Sequence, residues 1–406
     1  MKYKHSIFNY IQENDEYVLI YNTLYNSLIR LSIEEYKEYI NLYSLNFELK
    51  KAFLDNGLWV EESLNEKQQY LACSKAYTLY MPRPLSITIT TTLKCNARCA
   101  YCYEKGVKQI DIYENAEEKI INFIKNYSDI NEVHLTWFGG EPLLNTNFID
   151  NLSNKLLEEH IKFSSYIITN GSLLSDEIIN NKLQFWNVKN MQITLDGTKK
   201  IYEKRKRYIQ SCEGEFYKIL NNIGKVAQKG IFINIRLNID SENKEDILNL
   251  LKEIDNIYST YDNVVFYPAF ITGTTNILTE EEKVSYIKKM LLVIKNIKKL
   301  TAGTKFYSLP RMHACMNGNP KSFSIDVNGN IYTCEHYVGI EKHRIGNINS
   351  GISSPDLRGK SILFRKECEE CVFLPKCYGG CNSNYLEGDS PCMIEKYLIK
   401  AYLQIL

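Results

Sequence analysis

Three cysteines, Cys95, Cys99 and Cys102, are separated by only three and two residues and are surrounded by polar side chains. They follow a run rich in β-branched residues, which predicts a loop after a strand rather than the buried face of a helix. Three thiolates on one loop can bind three irons of a 4Fe–4S cluster and leave the fourth iron open to an external ligand. A zinc ion with an open coordination position is an alternative that the same spacing allows.

A second group of seven cysteines lies towards the C-terminus. Its members are Cys315, Cys334, Cys368, Cys371, Cys377, Cys381 and Cys392. Paired C-x2-C spacing is common in structural zinc sites, so this group by itself fits one or two zinc ions about as well as iron–sulfur clusters. The remaining two cysteines, Cys73 and Cys212, are distant from both groups and are predicted to be buried thiols.

The overall composition is that of a folded globular protein, because 44% of the 406 residues are hydrophobic, 24% are charged and the formal net charge is +1. A near-zero charge provides no basic surface for neutralising phosphates, so nucleic-acid binding is not expected. The chain shows neither a signal-peptide pattern nor an apolar run of membrane-spanning length, which predicts a cytoplasmic protein without membrane association. In a reducing compartment, twelve cysteines indicate metal or redox sites rather than disulfides.

Between about residues 84 and 300, short β-type runs alternate with helix-period segments, which predicts βα units around a parallel sheet. The six expected strands are 85–91, 133–138, 166–169, 191–195, 231–239 and 264–270. Helices are expected over 114–126, 147–160 and 280–299. The fifth strand alternates most clearly, with apolar residues such as Ile233 and Ile235 on one face and Asn234 and Arg236 on the other. In a barrel the polar face lines a lumen that can hold polar ligand groups, although a half-solvated antiparallel sheet would also alternate.

The second expected strand runs into Gly139, Gly140 and Glu141. Adjacent glycines allow the backbone to approach a ligand closely, and the Glu141 carboxylate can accept hydrogen bonds from an ammonium group. A Gly-Gly turn before a helix is by itself mostly structural. Its position one βα unit after the cysteine loop makes it a candidate part of the same site.

The C-x3-C-x2-C pattern with Tyr101 before its last cysteine resembles that of the radical S-adenosylmethionine (SAM) enzymes. The resemblance implies that Cys95, Cys99 and Cys102 bind the catalytic 4Fe–4S cluster, with SAM at the open iron. The cofactor contacts implied are Tyr101 at the adenine, Gly139, Gly140 and Glu141 at the methionine amino group, Asn170, Thr194 and Asp196 near the ribose and carboxylate, and Arg205 and Arg207 as carboxylate clamps. Arg236, on the polar face of the fifth strand, is taken as a further cofactor contact. A run of Lys and Arg such as 204–207 is otherwise typical of a solvated helix face.

Together with this loop, the seven C-terminal cysteines resemble the SPASM domain of radical SAM enzymes that modify peptides and proteins. The resemblance implies two auxiliary 4Fe–4S clusters, one bound by Cys315, Cys334 and Cys381 and the other by Cys368, Cys371, Cys377 and Cys392. Two fully ligated clusters need about eight thiolates, so seven leave one iron open. His313 could fill that position, but a lone histidine is more often a surface or packing residue.

Residues 1–75 lack the cysteine pattern and are expected to form a module of their own. Strands are expected at 16–21, 27–31 and 58–60, helices at 32–42 and 47–54, and a polar linker at 61–75. This layout resembles the winged-helix-like module with which many peptide-modifying enzymes bind a leader peptide, commonly by strand addition. A cap over the open edge of the barrel is a nearly equal alternative.

The predicted fold is therefore α/β, with three domains. A partial (β/α)6 TIM-like barrel of the radical SAM type spans 76–304 and carries the first cysteine loop. The winged-helix-like peptide-recognition module precedes it at 1–75, and the C-terminal iron–sulfur SPASM domain follows at 305–406.

The leading functional hypothesis is a radical SAM maturase that takes a hydrogen atom from a ribosomally synthesised peptide and installs a crosslink. A cysteine thioether is favoured, because an open auxiliary iron could bind a substrate thiolate and accept an electron; a carbon–carbon crosslink and formylglycine formation are alternatives. The implied cofactors are three 4Fe–4S clusters and SAM. The implied partners are a precursor peptide with a leader and a reducing electron donor such as a flavodoxin or ferredoxin. From another class, a non-catalytic zinc-stabilised peptide-binding scaffold would use the same cysteines.

Overall fold

A computed structural model of the chain describes residues 2–102, 106–128, 130–209, 215–271, 278–294, 310–312, 315–353, 366–381, 383–384 and 392–406. Its strands are β1 (Tyr3–His5), β2 (Asn9–Glu13), β3 (Tyr17–Asn22), β4 (Ser27–Ser32), β5 (Trp59–Glu61), β6 (Leu85–Thr92), β7 (Val133–Gly139), β8 (Phe163–Thr169), β9 (Val188–Leu195), β10 (Phe232–Ile239), β11 (Val264–Phe270), β12 (Ser322–Ile325), β13 (Asn330–Tyr332), β14 (Gly346–Asn347) and β15 (Gly351–Ile352). Its α-helices are α1 (Ile33–Ile40), α2 (Phe47–Asp55), α3 (Glu66–Tyr80), α4 (Ala116–Lys125), α5 (Thr146–Glu158), α6 (Leu183–Phe185), α7 (Lys199–Lys206), α8 (Glu215–Gln228), α9 (Lys244–Ile257), α10 (Glu280–Val293), α11 (Lys366–Glu369), α12 (Leu374–Cys377) and α13 (Ile394–Leu403). No helix in these ranges has the length and apolar character needed to cross a membrane.

The six strands β6 to β11 pair side by side in chain order, and every pair is parallel. Each of the six strands includes its predicted range or differs from it by one residue. Because all pairs are parallel, the alternative of a half-solvated antiparallel sheet is excluded. On β10, Ile233 and Ile235 are fully buried in a core shared with the outer helices, whereas Arg236 on the opposite face is half-buried. The prediction of a partial (β/α)6 barrel is therefore confirmed.

The helices between these strands cover the outer face of the sheet, because each turns an apolar stripe inward. On α8, for example, Phe216, Ile219 and Ile223 recur at helical spacing and are fully buried. The predicted helix at 280–299 begins with a capping box, in which Thr279 accepts from the backbone of Glu282 and the Glu282 carboxylate accepts in return. Its end beyond Ile294 lies outside the described residues.

The C-terminal region continues the barrel sheet. Strand β12 pairs in parallel with β6, and β13, β14 and β15 follow in antiparallel order, which gives one sheet of ten strands. Ser322 of β12 lies opposite Ser86 of β6. The β12-β13 hairpin is therefore attached to β6, the strand that leads into the first cysteine loop. The hairpin therefore holds the segment with Cys334 beside the barrel.

The N-terminal module consists of the antiparallel sheet β2-β3-β4, the pair β1-β5 and helices α1 and α2. The predicted strands and helices of this module are confirmed, and β1 and β2 are additional. Helix α1 begins at Ser32 because the Ser32 hydroxyl accepts from the backbone of Glu35 while the Glu35 carboxylate accepts in return. The module has a core of its own, which consists of Val18, Ile20, Leu31, Tyr39, Phe53, Leu58 and Trp59.

The linker predicted at 61–75 is wrong, because Glu66–Tyr80 is the helix α3. Its fully buried residues recur at four-residue spacing, and two of the three, Glu66 and Ser74, are polar while Tyr70 is aromatic. The segment therefore lacks the apolar periodicity of an amphipathic helix. Glu66 accepts hydrogen bonds from the Ser6 hydroxyl and the Ile7 backbone, which makes its burial tolerable. The predicted domain boundary at residue 75 therefore falls inside α3. Cys73, predicted to be buried, is exposed on this helix.

The N-terminal module packs directly against the C-terminal cysteine segment. Its contact is a small apolar cluster of Leu19, Tyr21, Phe373, Ile399 and Leu403. Helix α3, which follows the module, adds two polar contacts at the edge of this cluster. Lys67 forms an ion pair with Glu369 at 2.8 Å, and the Tyr70 hydroxyl donates to the backbone oxygen of Arg311 at 2.5 Å. The chain segment next to Cys368, Cys371 and Cys377 is thus supported by the module.

Candidate active site

A cavity of about 600 Å³ lies where the barrel strands end at their carboxyl edge. All three cysteines of the first loop line it, together with Gly139 and Gly140. Its other lining residues are Leu93, Ala97, Arg98, Ala100, Tyr101, Gly106, Gln109, Phe138, Ile168, Thr169, Asn170, Thr194, Lys206, Arg207 and Asn238. The fold thus brings the predicted cysteine loop and glycine turn to one site.

The glycine turn holds the start of the cysteine loop through the backbone. Gly140 donates its N–H to the carbonyl oxygen of Thr92 at 3.0 Å, and Glu141 donates to that of Lys94 at 2.9 Å. A Cβ atom on Gly140 would lie 2.4 Å from the Lys94 oxygen, and one on Gly139, whose φ is +136°, would lie 2.1 Å from the Thr92 oxygen. Only glycine allows this approach, so the two residues serve loop placement as well as the cavity wall.

The end of α7 holds the other side of the loop. The backbone N–H of Arg98 donates to the Lys206 oxygen at 3.0 Å, and that of Ala100 donates to the Arg205 oxygen at 3.1 Å. One residue pair further on, Ala97 and Tyr208 form an isolated β-bridge. The cysteine loop is therefore fixed on both sides by backbone hydrogen bonds.

Glu141 is fully buried and its carboxylate is used within the protein. Its oxygens accept from the Thr169 hydroxyl at 2.7 Å, the Asn170 backbone at 2.8 Å and the Leu143 backbone at 3.1 Å. Burial raises the pKa of Glu141, and these hydrogen bonds oppose the shift. Glu141 does not line the cavity, but its carboxylate holds the backbone of Asn170, which does. The Glu141 carboxylate is therefore engaged in hydrogen bonds within the protein, and its contact with an ammonium group stays a prediction.

Tyr101, Asp196 and Lys206 form a buried polar network beside the cysteines. The Tyr101 hydroxyl donates to Oδ2 of Asp196 at 2.5 Å, and Nζ of Lys206 lies 3.3 Å from the same oxygen and 3.1 Å from the hydroxyl. Burial alone would lower the pKa of Lys206, but the Asp196 carboxylate and the neighbouring Tyr101 and Cys99 raise it well above its ordinary value. Oδ1 of Asp196 is buried without a hydrogen-bond partner among the described residues.

Sequence reasoning missed Lys206, which it assigned to a solvated run of basic residues. The structure buries Lys206 and Tyr202, four residues apart on one face of α7, while Lys204 is exposed. A tyrosine and a lysine at i and i+4 share a helix face, and that spacing was the available signal.

The two arginines predicted to bind a carboxylate occupy different positions. Arg205 is buried and forms an ion pair with Asp240 at 2.6 Å, with its guanidinium 5.4 Å from the centre of the Tyr101 ring. Arg207 is exposed at the left-handed C-cap of α7 and lines the cavity. The structure therefore leaves Arg207 accessible to a ligand, whereas Arg205 is already neutralised.

The remaining predicted cofactor contacts lie at two depths. Thr194 and Asn170 line the cavity, as does Asn238 on β10. Arg236 does not line it, and its Nε donates to Oδ1 of Asn238 at 2.8 Å. Arg236 thus lies one side-chain layer further into the barrel than the cysteine cavity.

The C-terminal cysteines that the structure describes lie in two neighbourhoods. The pKa of Cys334 is raised by burial, then by Glu335, Cys315 and Cys381. Burial likewise raises the pKa of Cys377 to about 12, with further contributions from Cys371, Glu395 and Cys368. Both neighbourhoods therefore bring several thiols close enough to influence one another.

Cys392 lies near the second neighbourhood, since its Sγ is 3.9 Å from Nζ of Lys396, whose pKa is also influenced by Cys371. His313, the predicted alternative ligand, lies outside the described residues, as does Cys212.

The donor set of the first cavity fits a 4Fe–4S cluster. Burial raises the pKa of the Cys95 thiol to about 11, so a cation is needed to keep it a thiolate at neutral pH. Within the described ranges, no three His, Cys, Asp or Glu side chains converge on a point where they could bind a single ion. A cubane instead takes each thiolate on a separate iron, and three thiols that line one cavity suit that arrangement. Asp196, which was predicted as a cofactor contact, is fully buried and does not itself line the cavity.

Residues 89–254 match the model of the Radical SAM superfamily. The matched stretch contains the cysteine loop and the glycine turn. It also contains the barrel strands β6 to β10, except for the first few residues of β6. This identifies a radical SAM domain, and the protein is an enzyme of the radical SAM type. A domain of this type carries a 4Fe–4S cluster and uses SAM.

Similar proteins include maturation enzymes. The chain is 22% identical over 381 residues to a serine-type anaerobic sulfatase-maturating enzyme of Bacteroides thetaiotaomicron. The aligned region covers 80% of this chain and 90% of that protein. The structure of native anSMEcpe with bound AdoMet and Kp18Cys peptide superposes with a TM-score of 0.59 and 18% identity, covering 79% of this chain and 96% of that one. Streptococcus suis SuiB bound to the precursor peptide SuiA superposes with a TM-score of 0.50 and 15% identity, covering 96% and 98%. Both structures share the fold of this protein.

Proposed function

We propose that the protein is a radical SAM maturase that modifies a peptide or protein. The observation that carries this proposal is the single cavity lined by Cys95, Cys99, Cys102 and the Gly139-Gly140 turn, at the mouth of a polar barrel lumen. Similarity to a sulfatase-maturating enzyme over four-fifths of the chain supports a peptide or protein as the substrate class.

Cys95, Cys99 and Cys102 would hold the 4Fe–4S cluster, and the cavity beside them would hold SAM. When bound, this pair supplies a low-potential electron and a carbon radical that removes a hydrogen atom from the substrate. Tyr101, fixed by Asp196 and Lys206, forms a flat wall that suits the adenine. Asn170, Thr194 and Arg207 place polar groups along the cavity for the ribose and the carboxylate. The barrel walls would limit the access of water to the reacting groups.

The two C-terminal cysteine neighbourhoods would each hold an auxiliary 4Fe–4S cluster. Cys315, Cys334 and Cys381 provide three ligands for the first cluster, so one of its irons is free of a cysteine ligand. The second cluster would take all four of its ligands from Cys368, Cys371, Cys377 and Cys392. An iron without a protein thiolate can bind a thiolate of the substrate.

For the product we favour a cysteine thioether, formed on a ribosomally synthesised peptide. A carbon–carbon crosslink is the nearest competitor, because an auxiliary cluster can also act only as an electron acceptor. Formylglycine formation in a sulfatase is the second candidate, and the similarity to the Bacteroides enzyme favours it. The N-terminal module supports the peptide crosslink, since the fold of SuiB covers this region and that of anSMEcpe covers less of the chain.

The proposed partners are a precursor peptide with a leader and a reducing donor such as a flavodoxin or ferredoxin. The leader would bind to the N-terminal module, whose strands β2 and β4 are the edges of a three-stranded sheet. This module packs against the C-terminal cysteine segment, so a leader bound there lies near the auxiliary clusters.

Anaerobic reconstitution followed by reduction with SAM tests the enzyme class. We expect a brown protein with about twelve irons that forms 5′-deoxyadenosine. Replacement of Cys95, Cys99 and Cys102 by Ala is expected to abolish that product while the iron of the C-terminal region remains. A colourless protein that contains zinc and forms no 5′-deoxyadenosine would instead be the non-catalytic scaffold.

Coexpression with candidate substrates tests the bond that is formed. For a thioether, a short cysteine-rich peptide encoded beside the gene should lose two hydrogens per crosslink and one free thiol per crosslink. Loss of the hydrogens with all thiols retained indicates a carbon–carbon bond. Conversion of a sulfatase peptide to an aldehyde, with no change in the cysteine-rich peptide, would overturn the crosslink proposal in favour of formylglycine formation.

A further inference from the structure

Arg236 in the barrel interior differs from Arg205 in its lack of an acidic partner. Arg205 is neutralised by Asp240. Within the described part of the chain, no acidic side chain forms an ion pair with Arg236, and its Nε donates to the neutral amide of Asn238. Because Arg236 is half-buried, its charge is only partly solvated, and a bound anion would lower that cost.

The groups around Arg236 are uncharged hydrogen-bonding side chains. The hydroxyls of Tyr166 and Tyr267 both donate to Oε1 of Gln192, Tyr166 at 3.4 Å. Gln192 is about nine-tenths buried, and its amide nitrogen donates to no residue that the structure describes. The Arg236 side chain forms a hydrogen bond with the Tyr267 hydroxyl. Burial raises the pKa of Tyr166 and of Tyr267, and the charge of Arg236 opposes the shift in both. Arginine, glutamine and two tyrosines therefore form one polar patch.

The patch lies between the cysteine cavity and the C-terminal cysteines. Strand register places Arg236 opposite Thr194 on one side and Tyr267 on the other, and Asn238, two residues along β10, lines the cavity. Towards the C-terminal region, the charge of Glu335 acts on Tyr166, and Glu335 lies 3.7 Å from Sγ of Cys334. A ligand on the patch would thus be flanked by both metal-binding regions.

We propose that Arg236, with Tyr166, Gln192 and Tyr267, binds a carboxylate of the substrate peptide next to the residue that is modified. The inference rests on the proposed function and adds that the peptide carries an acidic group at this position. A guanidinium matches a carboxylate with two parallel N–H donors, and the free Gln192 amide adds a third donor.

The methionyl carboxylate of SAM is a second source of the same chemical group, and the sequence pattern alone associated Arg236 with the cofactor. The position of Arg236 favours the peptide, because its side chain does not line the cavity that holds the cysteines, whereas Arg207 does. Binding measurements on the same protein distinguish the two sources.

The experiment uses reconstituted holoenzyme with saturating SAM and no reductant, so that no turnover occurs. The probes are the synthetic peptides Ac-Gly-Glu-Gly-NH2 and Ac-Gly-Gln-Gly-NH2, and their dissociation constants are measured by NMR titration. We expect the wild-type enzyme to bind the glutamate peptide at least fivefold more tightly. The Arg236→Gln variant is expected to bind both peptides equally, and Arg236→Lys to keep part of the preference, because it keeps the charge but loses the paired donors. The affinity of the Arg236→Gln variant for SAM, measured by isothermal titration, is expected to differ from that of the wild-type enzyme by less than twofold.

Three outcomes overturn the proposal: no preference in the wild-type enzyme, an undiminished preference in Arg236→Gln, or a tenfold loss of SAM affinity with the peptide preference retained. The matched control is Arg344→Gln, because Arg344 is exposed and paired with Glu341, and its peptide preference is expected to equal that of wild type. If Arg236→Gln does not fold, the wild-type preference and Arg236→Lys still decide. Failure of the proposed function is recognised separately, by the absence of 5′-deoxyadenosine when the wild-type enzyme is reduced with SAM.

Discussion

The two cysteine regions of the protein are held by different kinds of interaction. The loop with Cys95, Cys99 and Cys102 is fixed by backbone hydrogen bonds to the glycine turn and to the end of α7, both of which belong to the barrel. The segment with Cys371 and Cys377 is supported by apolar side chains of the N-terminal module and of α13. A perturbation of the module is therefore expected to reach the second region and to leave the first intact.

Replacement of Gly140 by Ala is expected to have the largest effect. Its Cβ would lie 2.4 Å from the backbone oxygen of Lys94, which cannot move without displacing the cysteine loop. We expect 5′-deoxyadenosine formation by the reconstituted enzyme to fall by about 100-fold.

The control for this change is Gly224→Ala within α8, where the new Cβ would lie 3.8 Å from the Tyr261 hydroxyl. This substitution is expected to leave the rate unchanged and to stabilise the helix by up to about 1 kcal/mol. Wild-type SAM cleavage by Gly140→Ala would contradict the role of the turn in holding the loop.

Replacement of Lys206 by Met tests the other side of the same loop. It leaves the Asp196 carboxylate buried without its cation, which is expected to lower the free energy of unfolding by about 3–5 kcal/mol in urea denaturation. Lys204→Met, on the exposed face of the same helix, is expected to change it by less than about 0.5 kcal/mol. Equal effects of the two substitutions would show that the buried ion pair does not stabilise this region.

Replacement of Phe373 by Ala tests the second region. Phe373 is almost fully buried between the N-terminal module and α13, and its loss is expected to cost about 3 kcal/mol. On the proposed assignment of clusters, iron content should fall by about one cluster while SAM cleavage in the absence of peptide is retained.

Phe185→Ala is the matched control, since Phe185 is exposed, and it should retain full iron content. An equal loss of SAM cleavage and of C-terminal iron in Phe373→Ala would show that the two regions are coupled rather than separately supported.

The smallest effect is expected at Glu280, which joins α10 of the barrel to α13 through Lys396 and Lys400 at 2.7 and 2.6 Å. Burial alone would raise the pKa of Glu280, but hydrogen bonds from the two lysines lower it below its ordinary value. A lowered pKa stabilises the folded state above the unfolded pKa of about 4.3, and the contribution is lost as the pH falls through the folded value.

The carboxylate is partly exposed, so Glu280→Gln should cost no more than about 1 kcal/mol at pH 7. The difference in melting temperature between wild type and Glu280→Gln is expected to shrink as the pH is lowered below about 4. A difference that grows in acid would contradict the ion-pair explanation.

Local patterns were sufficient for the barrel. The alternation of Ile233 and Ile235 with Asn234 and Arg236 predicted β10 and its two faces, because a buried face leaves a two-residue period in the sequence. Helix α3 was missed for the opposite reason, since its buried face carries Glu66, whose burial depends on Ser6 far away in the chain. A segment whose burial is made possible by distant hydrogen bonds has no local signature.

The sequence by itself determined which cysteines are available, how they are grouped and that a parallel βα sheet presents the first group, because ligand spacing and strand period are properties of neighbouring residues. Only the tertiary structure decided which charged groups are already paired. Lys206 lies in a run of basic residues, yet the fold buries it against Asp196. The fold also neutralises Arg205 with Asp240, but it leaves Arg236 without an acidic partner among the described residues. Such pairing depends on side chains from separate strands and helices that meet only when the barrel closes.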